Sequence, residues 1–187
     1  MYDKDRRREK RKKWLLYILA FIIFQSAIIA LFTLTIMKVR NPKFRVRSAS
    51  FENFDVQSTA TPSFNLNGNV QLGIKNANFG PYKYNNSTVY FYHGDTAVGS
   101  AVISKSKAQF RRTKKFNVAV NLTATNIAVN SQLATDITNG TVPLTSRSTL
   151  TGKVELMLIF KKKKSVNMNC TMEINTSAKS LQNIVCK

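Results

Sequence analysis

From Trp14 to Met37 the chain carries no charged residue: WLLYILAFIIFQSAIIALFTLTIM is 24 residues long, with Gln25, Ser26, Thr33 and Thr35 as mild polar interruptions. At about 1.5 Å per residue a helix of that length reaches roughly 36 Å, against a hydrocarbon core of about 30 Å. It spans a bilayer with modest tilt. Trp14 and Tyr17 stand at the N-terminal boundary, where amphipathic rings favour the headgroup layer. A buried core helix fits poorly, because apolar residues cover every face. A cleaved signal peptide has an apolar region of about 7–15 residues and a small-x-small cleavage site. This run is longer, and Ala27 to Met37 contains no A-x-A triplet. The segment reads as an uncleaved anchor with span ends at Trp14 and Met37.

That reading sets the organisation: residues 1–13 a basic stub, 14–37 the transmembrane helix, 38–47 a basic juxtamembrane segment and 48–187 an outer domain. The stub has eight basic residues against three acidic ones, and Lys38, Arg40, Lys43, Arg45 and Arg47 form a weaker basic group after the helix. The positive-inside bias then gives a cytoplasmic N-terminus and an extracellular or lumenal outer domain. The plasma membrane is the expected location. Arg6, Arg7 and Arg8 would serve equally as an endoplasmic-reticulum retention signal, so that compartment stays open.

Six N-x-S/T triplets follow the helix, at Asn85, Asn86, Asn121, Asn139, Asn169 and Asn175. Composition alone would give about three, and the motif is a glycan acceptor only in secretory compartments. Position adds to the count. Phe116, Val118, Val120 and Leu122 alternate, as do Val166, Met168, Cys170, Met172 and Ile174, so Asn121, Asn169 and Asn175 fall on the solvent faces of strands. Asn85 and Asn86 follow a Gly-Pro turn, and Asn139 begins an Asn-Gly turn. All six are expected to be exposed.

The outer domain reads as strands. Phe44/Val46 and then Ala49/Phe51 alternate out of phase, the pattern of a strand with a bulge. Phe64 to Ile74 gives a second strand. Thr88 to His93 and Ala97 to Ile103 flank Gly94-Asp95 as a hairpin. Phe116 to Leu122, Leu150 to Phe160, Val166 to Ile174 and a short tail to Cys186 complete the set. Asn126 to Asn139, with Ile127, Leu133 and Ile137 at helical separations, reads as a short helix. About seven strands at short spacing predict a mainly-β, immunoglobulin-like two-sheet sandwich.

Several motifs agree in order with one family. Asn41-Pro42-Lys43-Phe44-Arg45-Val46-Arg47, Asn76 to Lys83, Gly94 to Val102, Arg111-Arg112-Thr113-Lys114-Lys115, Leu150 to Cys170 and the tail to Cys186 carry the likeness. The chain resembles the plant late-embryogenesis-abundant group 2 family, which overlaps the harpin-induced and non-race-specific disease-resistance-like membrane proteins. Ala77 departs from the family's usual Asn-Pro-Asn-Phe-Gly turn, leaving Gly80-Pro81 to make it. The resemblance implies a fibronectin-like sandwich and an association with abiotic stress or defence at the plasma membrane.

Catalysis fails on inventory. His93 is the single histidine and lies beside a hairpin turn. Six carboxylates follow the helix (Glu52, Asp55, Asp95, Asp136, Glu155 and Glu173), none paired at local spacing, although distant ones can meet in a fold. No nucleophile elbow, P-loop or zinc-protease motif occurs. No Cys/His cluster suits a metal, and no cofactor is expected. Cys170 and Cys186 admit two readings: a bridge closing the tail, or two buried free thiols.

The whole chain is strongly basic, with 29 Lys and Arg against nine Asp and Glu, a net charge of +20. Basic runs lie at Lys105/Lys107, at Arg111, Arg112, Lys114 and Lys115, and at Lys161, Lys162, Lys163 and Lys164. The last reads as a hairpin tip, since apolar residues stop at Phe160 and resume at Val166. These runs are candidates for binding an anionic surface: acidic cell-wall polysaccharide, anionic lipid or another membrane protein. Nucleic acid suits the charge, but the compartment and the lack of a stacking motif exclude it. The expected function is a non-catalytic, membrane-anchored surface protein acting through its cationic, glycosylated outer domain. The alternative is a non-specific dehydration protectant of membrane or wall surfaces.

Overall fold

A computed structural model of the chain describes residues 2–36, 38–57, 62–124, 131–156 and 160–187. It divides into two compact units, Met1–Val39 and Arg40–Lys187. The first is one helix, α1 (Tyr2–Ile36), which takes in the stub as well as the apolar run. Arg8–Thr35 is long and apolar enough to cross a bilayer, and none of its most apolar stretch is buried. The polar interruptions are satisfied within the helix. Ser26 Oγ donates to the Ile23 carbonyl at 2.8 Å, Thr33 Oγ1 to Ala30 at 2.8 Å and Thr35 Oγ1 to Leu31 at 2.7 Å. No unpaired hydroxyl of these three would therefore face hydrocarbon. Met37, the expected end of the span, lies outside the described residues.

The second unit contains ten strands: β1 (Lys43–Gln57), β2 (Ser63–Lys75), β3 (Tyr82–Tyr84), β4 (Ser87–His93), β5 (Thr96–Ile103), β6 (Ser106–Ala108), β7 (Thr113–Ala124), β8 (Thr141–Leu156), β9 (Phe160–Asn175) and β10 (Ser180–Cys186). One short helix, α2 (Ser131–Thr138), precedes β8. It falls within the expected helical segment, of which residues 126–130 lie outside the described residues. β1 begins at Lys43 with Phe44 and Val46 buried, so the end of the basic juxtamembrane segment is part of the sheet. Its pairing with β2 shifts register between Val46 and Ser48 and again between Phe51 and Asn53, the bulges that the out-of-phase alternation implied.

The mainly-β expectation holds, but the strands do not lie in two separate sheets. Eight of them pair antiparallel in a closed circuit, β4-β5-β7-β2-β1-β10-β9-β8 and back to β4. β8 makes the closure. It gives one edge to β9 over its whole length and divides the other edge in two. Thr145 to Arg147 pair with β4, and Gly152 to Val154 pair with β3. The first half of β8 was hidden in the sequence because its inward positions include Ser146 and Ser148, which are buried but polar. Closure gives each of the eight strands a neighbour on both sides, with β1 and β10 joined at Ser50 and Ser180. Its interior is filled by alternate residues of the long strands, among them Phe64, Leu66, Leu72, Ile74, Leu122, Leu150, Met168 and Met172.

β3 and β6 form a short ribbon attached to the second half of β8. Three features seat it. Asn76 is buried, and its side-chain Nδ2 donates to the carbonyls of Gly80 at 2.8 Å, Ala108 at 3.1 Å and Gln109 at 3.1 Å. Asn76 Oδ1 accepts from Asn78 N and Nδ2, and Asn78 in turn bonds both the N–H and the carbonyl of Arg40. Tyr82 crosses to β8 and β9, its hydroxyl shared between the carbonyls of Leu150 and Lys164. Burial, with the neighbouring Tyr84, pushes that phenol up to about 12, so it stays a donor at neutral pH. Finally, Gly152 has no Cβ where one would sit 2.3 Å from the Lys83 carbonyl oxygen.

Cys170 and Cys186 face each other across β9 and β10 and form a disulfide spanning 16 residues. Removing it by Cys186→Ser is expected to cost about 3 kcal/mol in the chain-entropy view, read as a shift in the urea midpoint. Gly152→Ala is expected to cost about 1–3 kcal/mol by overpacking against the Lys83 backbone. Asn76→Ala is expected to cost on the order of 3 kcal/mol by stranding buried carbonyls.

Candidate functional site

The one histidine is not a surface turn residue. His93 ends β4 with 3% exposure, and its Nε2 lies 2.9 Å from Asp136 Oδ2 on α2. Two groups 43 residues apart thus meet, as distant carboxylates were allowed to do. Their effect is to fasten α2 to the barrel. Nδ1 of His93 has no hydrogen-bond partner among the described residues. A cavity of about 390 Å³ lies alongside, with Asp95, Arg147 and Glu173 among its lining residues. Among the described residues no three His, Cys, Asp or Glu side chains come together as a metal site.

The basic residues are arranged more informatively. Lys161 to Lys164 do not form a hairpin tip. They are the start of β9, paired one by one with Glu155, Val154, Lys153 and Gly152 of β8. The strand pattern continues through the charges, because lysine stems accept an extended backbone wherever the head reaches water. Lys163 is opposite Lys153; Lys153 is opposite Lys83 on β3; and Lys83 is opposite Lys107 on β6. Directly opposed residues share one face of a sheet. Four exposed lysines on four adjacent strands therefore stand in one line. At about 4.8 Å per strand the row is roughly 14 Å long.

Parallel lanes flank the row. On one side Glu155 is opposite Lys161, and its N–H bonds the Pro81 carbonyl at 3.0 Å. On the other, Thr151 is opposite Ser165 with their hydroxyls 3.3 Å apart, and the Asn85 N–H bonds the Thr151 carbonyl at 3.0 Å. Glu155 is the one acid in these lanes. Its carboxylate meets Lys83 Nζ at 2.7 Å. The Lys83 hydrogen bond holds the Glu155 carboxyl below the usual carboxylate range, with the charges of Lys83, Lys161 and Lys153 adding to the effect and desolvation opposing it.

Lys162 and Lys164 point to the opposite side of β9, and Lys164 is half-buried. The second basic run sits elsewhere. Arg111 occupies the turn after β6 at φ 50°, with its guanidinium 4.9 Å from the Phe79 ring centroid. Arg112 is exposed in the same turn, Lys114 bonds Ser106 Oγ, and Lys115 on β7 is opposite Gly73 of β2. The eight candidates thus separate into two groups. Sequence reasoning missed Lys83 and Lys153, which stand singly in the sequence. Only cross-strand register reveals that they join the row.

Five of the six sequon asparagines (Asn85, Asn86, Asn121, Asn139 and Asn169) are exposed. Asn175 is half-buried, and its Oδ1 accepts from the Ala178 N–H at 2.7 Å in the β9–β10 turn. Asn86 Oδ1 likewise accepts from the Lys105 N–H at 2.6 Å.

Residues 71–172, more than half of the 187, match the profile of a family described as late embryogenesis abundant protein. A late embryogenesis abundant protein of Arabidopsis thaliana is 27% identical over 180 residues, covering 94% of this chain and 83% of the relative. Among solved structures, a protein from Archaeoglobus fulgidus gives a TM-score of 0.33 at 11% identity, covering 72% of this chain and 95% of the other. A protein of Arabidopsis thaliana solved in solution gives 0.30 at 10% identity, covering 69% and 82%.

The Lys83–Glu155 pair has a pH signature. A carboxyl whose folded pKa is lowered adds stability that is complete above its unfolded pKa and disappears as pH falls through the folded one. Glu155→Gln is therefore expected to unfold at lower urea than the parent at neutral pH. The gap should close as the pH is taken below the carboxylate range; a constant gap would show that the pair does not act through charge.

Proposed function

This chain belongs to the late embryogenesis abundant group 2 family, and from that premise we propose that it is a membrane-anchored, stress-associated surface protein working by binding. Family membership supports the stress association, and proteins of this family are generally non-enzymatic. Anchoring is supported by α1, whose apolar stretch has no protein surface to bury it. The basic stub favours a cytoplasmic N-terminus, and the exposed sequons are consistent with an outer domain that passes through a glycosylating compartment on its way to the plasma membrane.

The single observation that carries the binding reading is the concentration of exposed lysine on β3, β6, β8 and β9 with one paired carboxylate among them. The chain after Met37 has 21 basic and six acidic residues, so no other part of this unit neutralises that face. An anionic partner (wall polysaccharide, lipid headgroup or an acidic membrane protein) is what such a surface attracts.

Translation with microsomes tests the arrangement. The product should shift in mass on glycosidase treatment, and the part after Val39 should resist protease added outside the vesicles. Digestion of that part in intact vesicles would overturn the outer placement. Binding is tested separately: Lys161–Lys164→Ala should weaken retention on anionic surfaces, and retention by the parent should fall with added salt. Retention indifferent to both would leave the non-specific protectant as the better account.

A further inference from the structure

Four like charges in register on neighbouring strands are a poor arrangement for folding. Directly opposed like charges destabilise a sheet, and the row contains three such pairs. Only Lys83 has a counter-carboxylate, Glu155. The fold nevertheless supplies costly devices, the buried Asn76 and the Cβ-free Gly152, to hold β3 and β6 in this register.

The shape of the patch says what would relieve that repulsion. It runs four strands in one line, with Lys161 alongside it in the Glu155 lane, and a line of charge suits a linear anion better than a plane of headgroups. The lane beside it is neutral and hydrogen-bonding, with the Asn85 carboxamide and the Thr151 and Ser165 hydroxyls exposed at strand spacing. These groups have no use for a bare row of phosphates, but they match the hydroxyls of a sugar chain. Neither lane carries an aromatic or branched aliphatic side chain to enter a bilayer.

We propose that the row Lys107–Lys83–Lys153–Lys163, with the Asn85–Thr151–Ser165 lane beside it, is a binding site for a linear acidic polysaccharide lying across the strands. The polymer's carboxylates pair with the ammonium groups and its hydroxyls with the neutral lane. The proposal rests on the binding reading above and names its ligand class. Asn85 is also a sequon, and a glycan there would occupy the lane. The polymer-binding form is therefore the one with Asn85 unmodified.

The test uses the full chain in phosphatidylcholine nanodiscs, in an Asn85→Gln background that keeps the carboxamide and removes the acceptor. Polygalacturonate is the probe, with a neutral glucan and phosphatidylserine vesicles as the other arms. Lys107→Gln/Lys153→Gln/Lys163→Gln is expected to weaken polygalacturonate binding by at least about tenfold, about 1.4 kcal/mol. Lys75→Gln/Lys179→Gln/Lys187→Gln, which removes equal charge from exposed positions outside the row, should weaken it by less than about threefold. Arginine at the three row positions should restore it, which separates lost charge from lost fold. Thr151→Val/Ser165→Ala should weaken polygalacturonate binding and leave vesicle binding unchanged.

Equal weakening by the two charge-removing triples would overturn the site while leaving binding by general charge intact. A parent that binds phosphatidylserine vesicles but not polygalacturonate would overturn the ligand and point to the membrane. A parent that binds neither would overturn both this site and the proposed function.

Discussion

The lysine-bearing ribbon depends on one buried carboxamide. Asn76 sits where the end of β2, the start of β3 and the turn after β6 converge, and its amide hydrogens are shared among three carbonyls there. A hydrophobic residue of equal size would leave those carbonyls unpaired in the interior, at a cost of about 1–3 kcal/mol each. Asn78 extends the network to the backbone of Arg40, so the start of the domain is tied to the same point. The sequence shows this as Asn-x-Asn before Gly-Pro.

From this anchor the geometry follows. β8 is long enough to serve two neighbours on one edge, closing the barrel through β4 and then carrying β3 and β6 beyond it. Each strand of the ring has a neighbour on both sides, whereas the short ribbon ends at β6, which pairs on one side with β3. There the charges themselves discourage strand addition by a second chain, since a lysine facing another chain's lysine is repelled. The lysines proposed to hold a polyanion are the same ones that discourage self-pairing.

The His93–Asp136 pair shows how a chemically suggestive contact can be structural. The buried imidazole, 2.9 Å from a carboxylate on α2, ties that helix to the barrel. The disulfide acts similarly at the other end of the chain, holding β10 to β9 beside a β1–β10 seam paired in register only at Ser50 and Ser180.

Much of this was legible in the residues alone. A long uncharged run dictates an apolar helix, alternation dictates strands and their buried faces, and Gly94 marks the hairpin with a positive φ. These depend on neighbours in sequence, so one dimension suffices to read them. Barrel closure, the meeting of His93 with Asp136 and the lysine row did not follow, because each is set by which strands pair and in what register. Lys83 and Lys153 look like ordinary surface residues until β3 and β8 are aligned, whereas Lys161 to Lys164 looked like a loop because charge was taken as a stop signal. Sequence fixes what each residue is and which face of its own strand it occupies; only the tertiary pairing decides whose charge stands beside it, because that distance is spanned by hydrogen bonds between segments far apart in the chain.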